Sequence, residues 1–111
     1  MRTQSAKAKG RKLQQWIAGQ IRERFKLSER DVVSTSMGAS GVDVKLSEKA
    51  FKAFPYAIEC KARETFKTLY EYYEQQSGEP GEPLLVLKMN RKKPLIVVDA
   101  EHFMELARVR L

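Results

Sequence analysis

The spacing of apolar residues changes several times along this chain, and that alternation constrains its fold more than any other feature. The first apolar residues recur every three or four positions, the period of an amphipathic helix: Leu13, Trp16, Ile17, Ile21 and Phe25. Later apolar residues form short runs bounded by glycine, proline and small polar residues, which is typical of strands. We expect Trp16 to lie in the core, on the buried side of the first helix, rather than to serve as a platform for nucleic-acid bases.

The sequence predicts helices and strands in an order that limits the architecture. Helices are expected over 10–25, 47–54, 64–76 and 100–108, and strands over 31–35, 42–46, 54–62, 84–89 and 95–98. Ser47 and Asp99 are suited to cap the helices that follow them. This order predicts an α/β fold with a central mixed β-sheet flanked by α-helices.

The chain has 111 residues, which suits one domain with a single modest core. We expect residues 1–9 to form a flexible basic arm and residues 10–111 to form the domain. Two interpretations of the arm remain open, a frayed terminus and a basic segment that lies on phosphates, and both can hold together.

Polar residues on two neighbouring predicted strands suggest a metal-binding site. In an extended run, Glu59 and Lys61 share one face while Tyr56, Ile58 and Cys60 share the other. Asp43 lies on a neighbouring strand, just after a glycine turn. Two carboxylates can hold Mg²⁺, with the Cys60 backbone carbonyl as a further oxygen ligand, and Lys61 would stabilise charge on a phosphate. The alternative is an exposed Glu59–Lys61 ion pair of small energetic value.

The net charge of +7 favours a polyanionic partner, nucleic acid before a membrane. A single cysteine excludes an internal disulfide and suits a reducing compartment. Its side chain is expected to face the core, which makes it a poor nucleophile. No segment is apolar enough for a membrane span or a signal peptide, so we expect an intracellular protein of a bacterial, archaeal or phage-infected cell.

These residues carry a resemblance to a known family. Gly41-Val42-Asp43 followed by Ile58-Glu59-Cys60-Lys61 resembles the PD-(D/E)xK signature of the restriction-endonuclease-like superfamily, although Val42 stands where a proline is usual. Within it, the I-E-C-K strand and the order of elements resemble archaeal-type Holliday junction resolvases and their phage relatives. The stretches 36–41 and 88–91 look like those of the phage proteins, and the similarity covers about residues 10–106.

The resemblance implies a fold, a reaction and site residues. It implies a restriction-endonuclease-like core, Mg²⁺ bound by Asp43 and Glu59 with Mn²⁺ as an expected substitute, and Lys61 as the catalytic lysine. Such resolvases often carry a glutamate in the first helix, where this sequence has Gln14 and Gln15. Gln14 flanks the apolar stripe and could hold a metal or its water without adding charge. Gln75 falls where a glutamine frequently follows the motif, and a surface role suits it nearly as well.

The expected function is a Mg²⁺-dependent, structure-selective endodeoxyribonuclease, most simply a Holliday junction resolvase that makes paired symmetric cuts. Paired cuts suit a two-fold homodimer, and no small-molecule cofactor is implied. The DNA-contacting residues are expected to be Lys7, Lys9, Arg11, Lys12, Ser36, Lys88, Arg91, Lys92 and Lys93. The alternatives are a nuclease of the same fold acting on flaps, nicks or duplex ends, and a non-catalytic DNA-binding accessory protein. His102 is expected to be structural or exposed.

Overall fold

The computed structural model describes residues 2–35, 41–63 and 65–109. Its helices are α1 (Arg2–Phe25), α2 (Glu48–Ala53), α3 (Lys67–Glu74) and α4 (Ala100–Val109), and its strands are β1 (Val32–Ser34), β2 (Val44–Leu46), β3 (Leu85–Leu87) and β4 (Leu95–Val97). The chain divides into two compact units, Met1–Glu64 with Ala107–Leu111, and Thr65–Leu106. The predicted α/β class is confirmed in this coarse sense, with two small antiparallel sheets in the described residues.

In the first unit, α1 packs against an antiparallel pair of strands. β1 and β2 pair with Val32 opposite Leu46 and Ser34 opposite Val44, and α1 lies against β1. The buried residues of this core are Ala18, Ile21, Val32, Val44, Ala50 and Phe54. Phe54 also packs against Phe25, with ring centroids 5.6 Å apart. Helix, strands and the end of α2 therefore share one small core.

The helix α1 differs from its prediction in length and in the face that it buries. It begins at Arg2, so residues 2–9, expected as a flexible arm, are helical. Its buried residues are Gly10, Gln14, Ala18 and Ile21, and Trp16 is 39% exposed. The prediction that Trp16 lies in the core is therefore wrong. Small side chains let a helix approach a sheet closely, and a tryptophan on that face would hold it away.

The segment expected as the third strand, 54–62, forms a single antiparallel bridge between Ile58 and Val44 rather than a strand. Pro55 has no backbone N–H to donate to a ladder. The Cys60 N–H donates to the Asp43 side chain, so it does not extend a ladder from the bridge. The segment stays extended, but its hydrogen bonds are made to a side chain as well as to backbone.

Side-chain hydrogen bonds of Asp31 connect the turn after α1 with the start of α2. The Asp31 carboxylate accepts hydrogen bonds from the Ser47 hydroxyl (2.8 Å) and from the Ser28 backbone N–H and hydroxyl (both 3.0 Å). These bonds, that of Ser47 first, hold the pKa of Asp31 below its usual value. The Ser47 hydroxyl oxygen also accepts from the Ala50 N–H at 3.1 Å, so the predicted cap of α2 is confirmed.

The second unit consists of α3, a β-hairpin and most of α4. β3 and β4 pair with Leu85 opposite Val97 and Leu87 opposite Leu95. Strand 84–89 was expected to be buried, yet Val86 and its partner Ile96 are 60% and 62% exposed. The Asp99 carboxylate accepts from the His102 N–H at 3.0 Å, which confirms the predicted cap of α4. His102 is half-buried, with Nδ1 3.9 Å from Glu82.

An apolar cavity of about 430 Å³ also lies within this unit, lined by Phe66, Leu69, Tyr70, Tyr73, Val97, Val98, Asp99 and Ala100. Across residues 2–35, 41–63 and 65–109, no helix combines the length and the apolar character that crossing a membrane requires.

Candidate active site

Asp43 is positioned by backbone hydrogen bonds on both sides. Its N–H donates to the Ile58 carbonyl at 2.9 Å, and its carbonyl accepts from the Thr35 N–H at 3.0 Å. The Thr35 hydroxyl donates to the same carbonyl at 3.1 Å. Gly41, two residues earlier, has a φ of 94°, a left-handed conformation that favours glycine. Asp43 is therefore held between the end of β1 and the extended segment that carries Glu59.

The Asp43 carboxylate binds that extended segment directly. Its Oδ2 accepts a hydrogen bond from the Cys60 N–H, with 2.6 Å between the two heavy atoms. A short hydrogen bond to an ionised acceptor is among the stronger ones in proteins. Among the described residues, Oδ1 of Asp43 has no hydrogen-bond donor. A carboxylate offers about four lone-pair sites, so Asp43 retains oxygen capacity for a metal ion.

Glu59 and Lys61 lie side by side and reach into solvent. Lys61 Nζ is 3.3 Å from Glu59 Oε2, and the two side chains are 71% and 68% exposed. This is the arrangement that the i, i+2 spacing predicts for an extended backbone. An ion pair this exposed adds at most about 1 kcal/mol to stability. Both groups are consequently accessible to a ligand that approaches from solvent.

Cys60, between Glu59 and Lys61, carries a thiol whose pKa is raised. Burial first, and then the negative charges of Asp43 and Glu59, raise the pKa of the Cys60 thiol. The thiol stays protonated at neutral pH, which makes it a weak nucleophile, as expected from the sequence.

Gln14 lies deeper than the sequence suggested. It is 4% exposed, and its Oε1 accepts a hydrogen bond from the Ser34 hydroxyl at 3.0 Å. Ser34 pairs with Val44, the residue after Asp43. The amide therefore approaches the Asp43 region through β1, and its oxygen is engaged with a hydroxyl.

Two residues that sequence reasoning overlooked help to build this region. Ser34 links β1 to Gln14, and Thr35 holds the Asp43 carbonyl. A signal was available, because two consecutive hydroxyl residues end a strand just before a glycine-bearing loop.

The remaining predicted residues lie on different elements. Lys7, Lys9, Arg11 and Lys12 are exposed on α1, and Lys88, Arg91, Lys92 and Lys93 are exposed around the β3–β4 turn. That turn is closed by a hydrogen bond from the Lys92 N–H to the Met89 carbonyl, and Arg91 has a φ of 67°. Gln75 is the exposed C-terminal cap of α3 in the second unit. Ser36 lies outside the described residues.

The donor set of Asp43 and Glu59 fits Mg²⁺ better than a metal that prefers nitrogen or sulfur ligands. Mg²⁺ keeps several waters and takes one or two carboxylates together with substrate phosphate oxygens. Within the described residues, no cluster of three or more His, Cys, Asp or Glu side chains is placed to hold a metal ion. A site with two carboxylates is compatible with Mg²⁺ and unsuited to a closed structural zinc site.

A scan against models of protein families, a search of curated proteins and a search of solved structures found no match to this chain. The resemblance to PD-(D/E)xK nucleases stays a prediction that depends on the motif.

Proposed function

We propose that this chain is a Mg²⁺-dependent, structure-selective endodeoxyribonuclease with a restriction-endonuclease-like core, acting as a homodimer on four-way DNA junctions. The observation that carries the proposal is the arrangement around Cys60. The Asp43 carboxylate is bonded to the Cys60 N–H, and the Glu59–Lys61 pair stands on either side of the same residue. One carboxylate and one ammonium group thereby project from a short extended segment, and a second carboxylate is hydrogen-bonded to the backbone of that segment. An intracellular location in a bacterial, archaeal or phage-infected cell belongs to the proposal.

Each residue has a distinct role in this proposal. Asp43 and Glu59 hold the metal ion, and the Cys60 carbonyl is available as a third oxygen ligand. A bound Mg²⁺ would activate water and stabilise charge on the phosphate. The Lys61 ammonium, 3.3 Å from Glu59, orients the nucleophile or stabilises negative charge that develops on the phosphate oxygens. Gln14 is a positioning residue, because it accepts a hydrogen bond from Ser34, which pairs with Val44 next to Asp43.

Exposed basic residues in each of the two units support a nucleic-acid substrate. Exposed lysines and arginines on α1 and at the β3–β4 turn can contact phosphates, which gives affinity that falls with salt and depends little on sequence. Recognition of DNA shape is then the expected source of selectivity.

One observation favours a second candidate, a non-catalytic DNA-binding protein. The position where related resolvases often carry a glutamate holds Gln14, whose oxygen is bound to Ser34. Because Gln14 is uncharged and its oxygen already accepts a hydrogen bond, only the Asp43 and Glu59 carboxylates are proposed to bind the metal. Retention of Asp43, Glu59 and Lys61 together argues for the nuclease.

A cleavage assay separates the candidates. The protein is incubated with a four-way junction, a flap and a linear duplex, with Mg²⁺ or with EDTA. The Asp43→Asn and Glu59→Gln variants are tested beside Glu71→Gln, which removes an exposed carboxylate on α3. The proposal expects junction cleavage with Mg²⁺ that both site variants lose and Glu71→Gln keeps.

Each other result has a defined meaning. Cleavage that persists in either site variant contradicts the assigned site. Binding to the junction without cutting favours the accessory protein. Preferred cutting of flaps, nicks or duplex ends supports a nuclease of the same fold and contradicts the assignment as a junction resolvase.

A further inference from the structure

The exposed Trp16 leaves one face of α1 unexplained by the core or by the cleavage site. At about 100° per residue, Lys9 and Lys12 lie within roughly 20° and 40° of Trp16 around the helix axis. All three side chains are exposed. Along the axis, Lys12 and Lys9 precede Trp16 by roughly 6 and 10 Å. We call Lys9, Lys12 and Trp16 the α1 outer face.

The placement of Trp16 is unusual for a residue of its size. Burying an indole removes a large apolar surface from water and stabilises a fold. The opposite side of α1 buries Gly10, Gln14, Ala18 and Ile21 instead. An exposed aromatic ring beside two ammonium groups is the combination that single-stranded nucleic acids bind, because bases stack on the ring and phosphates pair with the charges.

We propose that the α1 outer face binds an unpaired DNA strand, with one base stacked on Trp16 and neighbouring phosphates on Lys9 and Lys12. The inference rests on the proposed function for the identity of the partner, DNA. The stacking and phosphate contacts do not depend on cleavage activity. Duplex DNA keeps its bases stacked inside the helix, so a tryptophan on a convex helix face selects a strand whose bases are free. Unpaired bases of this kind are available in an opened branch point.

Trp16 is the sole tryptophan of the chain, so tryptophan fluorescence reports on this face alone. The full-length protein is titrated in EDTA with an unlabelled oligothymidylate and, separately, with a blunt duplex. Stacking of a base on the indole is expected to quench the emission with the single strand and much less with the duplex.

Substitutions test the two parts of the face separately. Stacking contributes about 1–3 kcal/mol per base, so Trp16→Ala should weaken oligothymidylate binding by about 5- to 140-fold, measured by anisotropy of a labelled strand. Trp16→Phe keeps a ring and should weaken it less. Lys9→Ala with Lys12→Ala should reduce the slope of log affinity against log salt by about 1.4, near 0.7 for each single-strand phosphate lost.

The matched control is Lys49→Ala with Lys52→Ala, an exposed pair with the same three-residue spacing on α2. That double variant should keep the wild-type salt slope. Equal quenching by duplex and single strand, unchanged affinity in Trp16→Ala, or an equal slope change in the α2 pair would each overturn the proposal. Because EDTA prevents metal-dependent cutting, a protein that fails to cleave but shows strand-specific quenching retains this inference and loses the proposed catalysis.

Discussion

Substitution of Asp43 by Asn and by Ala separates two roles of a single carboxylate. Its Oδ2 accepts the Cys60 N–H at 2.6 Å and so ties β2 to the segment that carries Glu59 and Lys61. The same side chain is a proposed metal ligand. Asn keeps a side-chain oxygen that can accept the Cys60 N–H but has no charge, whereas Ala removes both the acceptor and the charge.

The expected stability changes follow from this hydrogen bond. A bond to a charged acceptor contributes about 1.5–3 kcal/mol and a neutral one about 0.5–1.5 kcal/mol. Asp43 is half-buried, so we take the lower part of each range. For 111 residues, an unfolding entropy near 2.1 cal/mol/K per residue gives about 4 °C per kcal/mol. Asp43→Ala should lower Tm by about 6–9 °C and Asp43→Asn by about 2–4 °C.

Cleavage activity, unlike stability, should fall to a similar extent in the two variants. Both variants should lose more than about 100-fold of junction cleavage, because even residues behind a metal ligand cost 10- to 100-fold when changed. Thermal unfolding followed by circular dichroism and cleavage under saturating Mg²⁺ measure the two effects. An Asn variant that still cleaves refutes the metal role, and an Ala variant with the wild-type Tm refutes the structural one.

Three further predictions follow from neighbouring residues. Glu59→Gln should abolish cleavage while shifting Tm by less than about 4 °C, since the exposed ion pair contributes at most about 1 kcal/mol; a large Tm loss would contradict this. Gln14→Glu places a carboxylate at a site that is 4% exposed, so Tm should fall without metal and recover more on addition of Mg²⁺ than in the wild type. If Mg²⁺ raised the Tm of this variant and of the wild type equally, position 14 would lie outside the metal site. The folded-state pKa of Asp31 is lowered, so its stabilising contribution is present above the ordinary carboxyl pKa and is lost as pH falls through the lower folded value. Asp31→Asn should therefore flatten the acid limb of the urea midpoint plotted against pH, and an unchanged limb would contradict the assignment.

Local sequence pattern accounts for much of what the structure contains. The caps by Ser47 and Asp99 were predictable because each involves an N–H three residues away. The adjacency of Glu59 and Lys61 was predictable because alternate side chains share a face in any extended segment. The lengths of the strands were less predictable from the sequence. Segment 54–62 forms a single bridge rather than a strand, because Pro55 lacks a backbone N–H and the Cys60 N–H donates to the Asp43 side chain.

The sequence by itself determined the excess of positive charge, which is a matter of composition. It also determined the type of each helix and strand that forms and the spacing that sets Glu59 beside Lys61, since these depend on residues a few positions apart. Only the tertiary structure decided how α1 is rotated. Its buried stripe is turned by roughly 60° from the apolar one, because Gly10, Gln14 and Ala18 allow close contact with β1 and Trp16 does not. The bonds from Gln14 to Ser34 and from Asp43 to Cys60 join residues 20 and 17 positions apart. Such contacts arise from packing, and no local periodicity encodes them.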